Sequence, residues 1–167
     1  MARRLIDAVD DPAAAAVAAG RLVEEWAHLY PDWDHRAATA ELLQQGQNGT
    51  PPCTWLLFDD EDPTTGVLGS VGLALDGELG TPLEGESTPA GVWLVNLFVV
   101  PNERGRGHGS ALLDHAVTCA RAFGIEELLL TTEHSEGLYA AAGWVTIGAT
   151  ELSGHRSTIM RLRDVTR

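Results

Sequence analysis

One stretch of the sequence decides the fold: LVNLFVVPNERGRGHGSALLDHAVTCARAFG, residues 94–124. It begins with an apolar run ending at Pro101, which predicts a strand over residues 92–100 that is buried on both faces. Its second half has apolar residues at helical spacing up to Gly124, where a helix end favours glycine. The turn between them contains three glycines at alternate positions, namely Gly105, Gly107 and Gly109. The stretch therefore predicts a strand, a glycine-rich turn and a helix.

The glycine-rich turn is typical of an anion-binding site. Glycines let the backbone turn tightly and bring its N–H groups close to a ligand. These groups act together with the positive end of the helix dipole. Arg104 and Arg106 add positive charge directly after residues 37–103, which contain no basic residue. We therefore expect the turn to bind a pyrophosphate.

Two common pyrophosphate-binding motifs are excluded by the residues present. The dinucleotide fingerprint G-x-G-x-x-G is not met, because the glycines here follow G-x-G-x-G. The P-loop needs a lysine before Ser or Thr, and the sequence contains no lysine.

A third pattern fits. Arg104-x-x-Gly107-x-Gly109 matches the [RQ]-x-x-G-x-[GA] loop with which enzymes of the GNAT (Gcn5-related N-acetyltransferase) superfamily hold the CoA pyrophosphate. EGLYAAAGW, residues 136–144, is similar to the family's LYxxxGF helix and turn, and TIMRLR, residues 158–163, to its closing strand. The resemblance implies the α/β (α+β) GNAT fold over residues 1–167 as one domain. That fold has a central mixed, mostly antiparallel sheet of six to seven strands, flanked by four helices.

The resemblance also implies acetyl-CoA as the cofactor and assigns roles to residues. Tyr139 matches the family's tyrosine that protonates the departing thiolate, and a phenol with a pKa of about 10 is protonated at neutral pH. The strand before the loop would diverge from its neighbour and hydrogen-bond the pantetheine arm, and one of its N–H groups would polarise the thioester carbonyl. His108 is expected to be an exposed, variable position. The implied cofactor-binding residues are Leu97, Phe98, Val99, Arg104, Gly105, Arg106, Gly107, His108, Gly109 and Ser110.

The general base stays open at the level of sequence. Many relatives carry a carboxylate on the strand before the loop, where this chain has Asn96. Asn96 cannot accept the proton, so we expect it to order a water, to contact the acceptor or to be structural. Glu133 and His134 are two further candidates, since imidazole titrates near pH 6.5. Acids within residues 76–86, or solvent, are the remaining ones.

The acceptor is expected to be a small cationic amine. The formal net charge is −13, which disfavours nucleic acid and anionic membranes as partners and attracts cations. By analogy with the family, Trp26, Tyr30, Trp33 and residues 76–90 would wall the acceptor site, although the tryptophans are equally explained as core. Two alternatives stay open. One is a protein N-terminus or lysine as acceptor, and the other is a CoA-binding regulatory module without catalysis.

Other features place the chain in the cytoplasm. No run approaches the roughly 20 apolar residues of a membrane span, and no signal peptide is expected. Cys53 and Cys119 lack metal-ligand spacing and are expected in the core, so no metal is predicted. A homodimer is possible because dimers are frequent in the family.

Further secondary-structure elements are expected before the glycine-rich turn: a strand at residues 3–9, helices at 12–30 and 33–45, and a hairpin of strands at 53–58 and 66–75.

Overall fold

The computed structural model describes residues 2–62, 66–75 and 91–165, with a seven-stranded sheet at its centre. The strands are β1 Arg3–Asp7, β2 Cys53–Asp59, β3 Val67–Leu75, β4 Val92–Val99, β5 Glu127–Thr132, β6 Val145–Leu152 and β7 His155–Arg163. The helices are α1 Pro12–Trp26, α2 His35–Leu42, α3 His108–Ala122 and α4 Glu136–Ala141. The sheet order is β1-β2-β3-β4-β5-β7-β6, and only β4 and β5 pair in parallel. The predicted mixed, mostly antiparallel sheet with four helices is confirmed.

The first two helices are shorter than predicted at their ends. The Asp11 carboxylate accepts a hydrogen bond from the Ala14 N–H at 3.0 Å, so α1 begins at Pro12 as expected but ends at Trp26. The Asp34 carboxylate caps the Ala37 N–H at 2.8 Å, which starts α2 at His35. Capping by a short acid satisfies an amide that has no partner in the helix. Trp33 therefore lies in the connection before α2 and not in the helix.

Two helices cover the sheet with small and aliphatic side chains. α1 buries alanines and Leu22, while α3 buries Leu112 and Leu113, and both helices contact β3. Full burial of a leucine side chain contributes about 1.5–3 kcal/mol to folding, so this packing fixes both helices against the sheet. None of the helices in the described residues combines the length and hydropathy needed to span a membrane.

β4 differs from the expectation that it is buried on both faces. Its middle residues Val95, Asn96 and Leu97 are only partly buried. The reason is that β4 pairs with β5 only at Val92–Leu128 and Trp93–Leu129. Beyond these pairs the two strands diverge, as the sequence led us to expect, and leave one edge of β4 open to a ligand.

Candidate active site

A bulge in β4 lies beside the opening between β4 and β5. Gly72 pairs with Val95 and Ser70 with Phe98, so β4 has one more residue in this interval than β3. Asn96 takes up the extra length with a φ of 55°, in the left-handed region that asparagine tolerates better than most residues. Its carbonyl accepts a hydrogen bond from Ser70 Oγ at 2.8 Å. The bulge is thus held in place and turns the backbone groups that follow it.

The glycine-rich turn presents backbone N–H groups at the start of α3. Gly105 and Gly107 have φ values of 78° and 82°, which favour glycine. Gly107 is the N-terminal cap of α3, and no side chain caps this helix end in the described part of the chain. Uncapped amides at the positive end of a helix dipole suit a phosphate group. The turn therefore fits the pyrophosphate of CoA.

Arg3 of β1 stabilises this turn through two hydrogen bonds. Its Nη2 donates to the Arg106 carbonyl at 2.7 Å, and its Nε donates to His108 Nδ1 at 3.1 Å. His108 is 1% exposed, so the expectation of an exposed side chain is wrong. As the first residue of α3, it turns its ring toward Arg3, and Glu103 Oε2 lies 3.6 Å from its Nε2. His108 therefore shapes the turn with its side chain and leaves only its backbone N–H for a ligand.

Both arginines of the turn are paired with carboxylates. Arg104 Nη2 lies 3.0 Å from Glu25 Oε1, and its Nε donates to the Val99 carbonyl at 2.9 Å. Arg106 Nη1 lies 3.1 Å from Glu103 Oε2. The positive charge predicted for the turn is thus largely compensated, which leaves the backbone N–H groups as the main attraction for an anion.

Phe98 connects this turn to α1. The Arg104 guanidinium lies 5.6 Å from the centre of the Phe98 ring, and the Trp26 ring meets Phe98 edge-on at 6.3 Å. A cavity of about 560 Å³ lies beside Phe98, between α1 and the end of β4.

Tyr139 lies on α4, which follows β5. Its side chain is 6% exposed, and its ring meets Trp144 edge-on at 5.9 Å. Burial raises the pKa of the Tyr139 hydroxyl above its ordinary value, since the phenolate would lose its hydration. The hydroxyl is therefore protonated at neutral pH.

Asn96 contacts a carboxylate that the sequence did not point to. Its Nδ2 donates to Glu41 Oε1 at 3.2 Å. Burial, and after it the charge of Glu41, raises the pKa of Tyr30, and the Tyr30 and Trp33 rings lie 6.0 Å apart. A carboxylate and an amide thus meet at the bulge, and Tyr30 is near enough to Glu41 to respond to its charge. Glu41 was not predicted because it lies on α2, 55 positions from Asn96, where no local pattern relates the two residues.

The model of the acetyltransferase (GNAT) family matches residues 20–144. The chain belongs to the GNAT acetyltransferase family. The sequence has no significant match among curated proteins.

Solved structures share the fold of this acetyltransferase at low sequence identity. Aminoglycoside 6′-acetyltransferase type Ii is 15% identical with a TM-score of 0.69, covering 100% of this chain and 99% of that one. The ribosomal-protein-S18-alanine N-acetyltransferase from Escherichia coli is 18% identical with a TM-score of 0.64, covering 98% and 94%. N-acetylglutamate synthase from Neisseria gonorrhoeae, complexed with coenzyme A and N-acetyl-glutamate, is 18% identical with a TM-score of 0.66, covering 98% of this chain and 35% of that one. As a GNAT enzyme, the protein uses acetyl-CoA as its donor.

Glu133 and His134, the two base candidates named individually from the sequence, lie together just after β5. Glu133 Oε1 lies 2.9 Å from His28 Nε2 and 3.1 Å from His134 Nε2, and Glu133 Oε2 lies 3.4 Å from His155 Nδ1. The hydrogen bond from His28, followed by the charges of the neighbouring histidines, lowers the pKa of Glu133 against the opposing effect of burial. This makes Glu133 a weaker base. His134 is 82% exposed, and residues 76–86 lie outside the described residues.

Proposed function

We propose that the protein transfers the acetyl group of acetyl-CoA directly to the primary amine of a small cationic molecule. The observation that carries this proposal is the pairing of Glu41 with Asn96 beside the bulge of β4. The charge of Glu41 contributes, after burial, to the raised pKa of Tyr30, whose ring lies 6.0 Å from that of Trp33, and a carboxylate with aromatic rings in its neighbourhood suits an organic cation. The net charge of −13 would draw such a cation to the protein.

The glycine-rich turn and the end of β4 are proposed to hold the cofactor. Backbone N–H groups from Arg104 to Ser110 would bind its pyrophosphate, which the uncapped start of α3 supports. Leu97, Phe98 and Val99 would bind its pantetheine arm, because β4 has no strand partner on that side after Trp93 among the described residues. Acetyl-CoA supplies an acetyl group activated as a thioester.

Glu41 is proposed to receive the proton of the acceptor. An alkyl amine is mostly ammonium at neutral pH and must lose a proton before it attacks a carbonyl. The carboxylate of Glu41 would first pair with the ammonium group and then take its proton, while Asn96 orients that carboxylate. Glu133 is less suitable because its pKa is lowered. His134 remains the second candidate for the general base; its Nε2 lies 3.1 Å from Glu133 Oε1, and its side chain is open to solvent.

Tyr139 is proposed as the acid that protonates the departing sulfur. Its buried hydroxyl is protonated at neutral pH, so a proton is in place when the thiolate forms. Glu41 thus takes one proton from the ammonium group, and Tyr139 gives a different one to the departing sulfur. The second proton that the attacking nitrogen loses would restore the Tyr139 hydroxyl, and Glu41 would release its proton to solvent. No covalent acyl-enzyme is needed, since the chain's two cysteines are buried or partly buried.

Two neighbours of the same fold illustrate the acceptor classes to be compared. One is an aminoglycoside acetyltransferase and one acts on the alanine of a ribosomal protein. Glu41 favours the small cation for this chain, because its carboxylate would pair with a positive charge and its own charge acts on the Tyr30 side chain beside Trp33. A CoA-binding module without catalysis would need neither Glu41 nor Tyr139. A cytoplasmic location belongs to the same proposal, since both cysteines are free thiols.

The test is CoA release from acetyl-CoA with a panel of acceptors. The panel contains polyamines, aminoglycosides and amino-acid amides on one side, and peptides with a free N-terminus or an internal lysine on the other. We expect turnover with a small cationic amine and a loss of about 10²–10⁴-fold in kcat for Glu41→Gln, the usual contribution of a general base. The control is Glu126→Gln, an exposed acid between α3 and β5.

The outcomes separate the proposals. Preferred turnover of peptides would replace the small amine by a protein acceptor. Tight CoA binding without turnover of any amine would support the regulatory module. Full activity in Glu41→Gln would remove Glu41 from proton transfer.

A further inference from the structure

Three metal-ligating side chains meet at one end of β5, outside the Glu41–Asn96 pair. We call His28, Glu133 and His155 the histidine–glutamate cluster. Their ligand atoms all lie within 4.8 Å of one another. His28 follows α1, Glu133 follows β5, and His155 begins β7, so three separate segments contribute one ligand each.

The backbone around the histidine–glutamate cluster is fixed by hydrogen bonds that do not involve its side chains. Ser153 Oγ donates to the Leu29 carbonyl at 2.8 Å, which ties the turn before His155 to the turn containing His28. Ser153 has a φ of 48° and Gly154 one of 81°, as in the two-residue turns that suit β-hairpins. The Ser135 N–H donates to Thr132 Oγ1 at 2.9 Å and fixes the turn with Glu133.

The spacing of the ligand atoms is close to what a small tetrahedral ion requires. Zinc binds imidazole nitrogen and carboxylate oxygen at about 2.0–2.2 Å, which puts neighbouring ligand atoms roughly 3.4 Å apart. His28 Nε2 lies 2.9 Å from Glu133 Oε1, and His155 Nδ1 lies 3.4 Å from the other carboxylate oxygen, Glu133 Oε2. All three side chains retain some exposure, so an ion has access from solvent.

We infer that the histidine–glutamate cluster is a Zn²⁺ site with three protein ligands and a fourth position for water. Two imidazoles and one carboxylate are a ligand set that zinc accepts and that Mg²⁺ and Ca²⁺, which prefer oxygen, do not. The ion would replace the contacts of Glu133 with the two histidines. It would also join the turn after α1 to β5 and to the β6–β7 hairpin. The inference is independent of the acceptor and of CoA binding.

Zinc at this site would also act on the enzyme. Zinc on Glu133 would occupy the carboxylate that now contacts His134 at 3.1 Å. That carboxylate is then withdrawn from any proton transfer with His134. Zinc bound to His28 would also stabilise the connection between α1 and α2, which contains Tyr30.

The experiment is titration of the metal-free full chain with ZnCl₂ by calorimetry and by thermal unfolding, without acetyl-CoA. MgCl₂ is the ion control. Co²⁺ replaces zinc in a parallel titration, since its visible absorption reports a tetrahedral site. The variants are His28→Gln and His155→Gln, and the control is His35→Gln, an exposed histidine bonded to the Ala16 carbonyl. Cys119→Ser tests a different pair of metal-ligating side chains, His115 and Cys119, whose Nε2 and Sγ atoms lie 3.5 Å apart.

We expect one zinc ion per chain, a rise in Tm and a tetrahedral cobalt spectrum, in wild type, His35→Gln and Cys119→Ser alike. His28→Gln and His155→Gln should each bind zinc at least about tenfold more weakly, while their Tm without metal stays near that of wild type because both side chains are exposed. Absence of zinc binding in wild type, or wild-type affinity in both histidine variants, would overturn the inference. Loss of binding in Cys119→Ser would assign the ion to His115 and Cys119 instead.

Discussion

Asn96 Nδ2 donates a hydrogen bond to Glu41 Oε1 at 3.2 Å and thereby joins the bulge of β4 to α2. The carbonyl of the same Asn96 accepts from Ser70 Oγ at 2.8 Å. One residue thus connects the strand that is proposed to hold the cofactor with the carboxylate that is proposed to bind the acceptor. A substitution of Asn96 should therefore weaken binding of the acceptor amine more than binding of the cofactor.

Asn96 has a matched pair of substitutions, to Gly and to Ala. Asn96→Gly removes the amide but keeps a φ of 55° free of strain, so we expect a higher KM for the amine and an unchanged Kd for CoA. Asn96→Ala should lose about 1–2 kcal/mol of unfolding free energy in addition, because its Cβ disfavours the left-handed region. Steady-state kinetics and denaturant unfolding check both variants. An unchanged amine KM in Asn96→Gly would contradict the role of the amide.

Gly107 and Gly109 should respond differently to substitution by alanine. Gly107 has a φ of 82°, and a Cβ there would lie 3.3 Å from Arg3 Nη2, so Gly107→Ala strains the turn. A Cβ on Gly109 would meet only Leu138 Cδ2 at 3.8 Å, and its φ is not in the left-handed region. We expect Gly107→Ala to weaken CoA binding at least about tenfold, the effect of about 1.4 kcal/mol, and Gly109→Ala to retain it. Calorimetry with CoA measures both, and equal losses would argue against backbone geometry as the cause.

The strand-loop-helix unit could be predicted from sequence because its signals are local. Apolar spacing and Gly124 fixed α3, and alternate glycines fixed the turn. The same reasoning placed His108 on the surface, because no local pattern shows that Arg3, 105 positions away, turns its guanidinium toward that ring.

The acceptor side of the site could not be predicted in the same way. The apolar residues of β4 gave no sign of the bulge at Asn96, and the early end of its pairing with β5 was expected only from the family resemblance. Both follow from the register of neighbouring strands. Glu41 reaches Asn96 from α2 across 55 positions of sequence, a contact that the local helical pattern does not show.

Tyr139→Phe tests the proposed acid. We expect kcat to fall about 10²–10⁴-fold, while the Kd for CoA stays within about twofold. Burial raises the pKa of Tyr139, so its hydroxyl keeps its proton at pH values where a free phenol begins to ionise. The wild-type rate should therefore show no decline assignable to Tyr139 between pH 7 and about 10. An unchanged kcat in Tyr139→Phe would rule out the acid role.

Cys53 should be unreactive in the folded protein. Burial raises the pKa of its thiol from 9.0 to about 12, so almost none is thiolate at pH 8. Because the folded pKa is the higher one, this group contributes stability that is complete below about pH 9 and is lost as the pH approaches 12. Cys119→Ser leaves Cys53 as the single thiol. We expect this variant to react with DTNB only after unfolding in guanidinium, and rapid reaction in buffer would contradict the burial of Cys53.

Thermal unfolding with and without acetyl-CoA tests the central claim most directly, with CoA and ATP as comparison ligands. If the turn from Arg104 to Ser110 holds the pyrophosphate and β4 holds the pantetheine arm, acetyl-CoA and CoA should both raise Tm. At about 100 times the Kd the stabilisation is about 2.7 kcal/mol, which corresponds to several degrees. ATP, which lacks the pantetheine arm, should give little shift, and Gly107→Ala should lose the effect of CoA. No shift with saturating acetyl-CoA, or an equal shift with ATP, would contradict the assignment of the cofactor site.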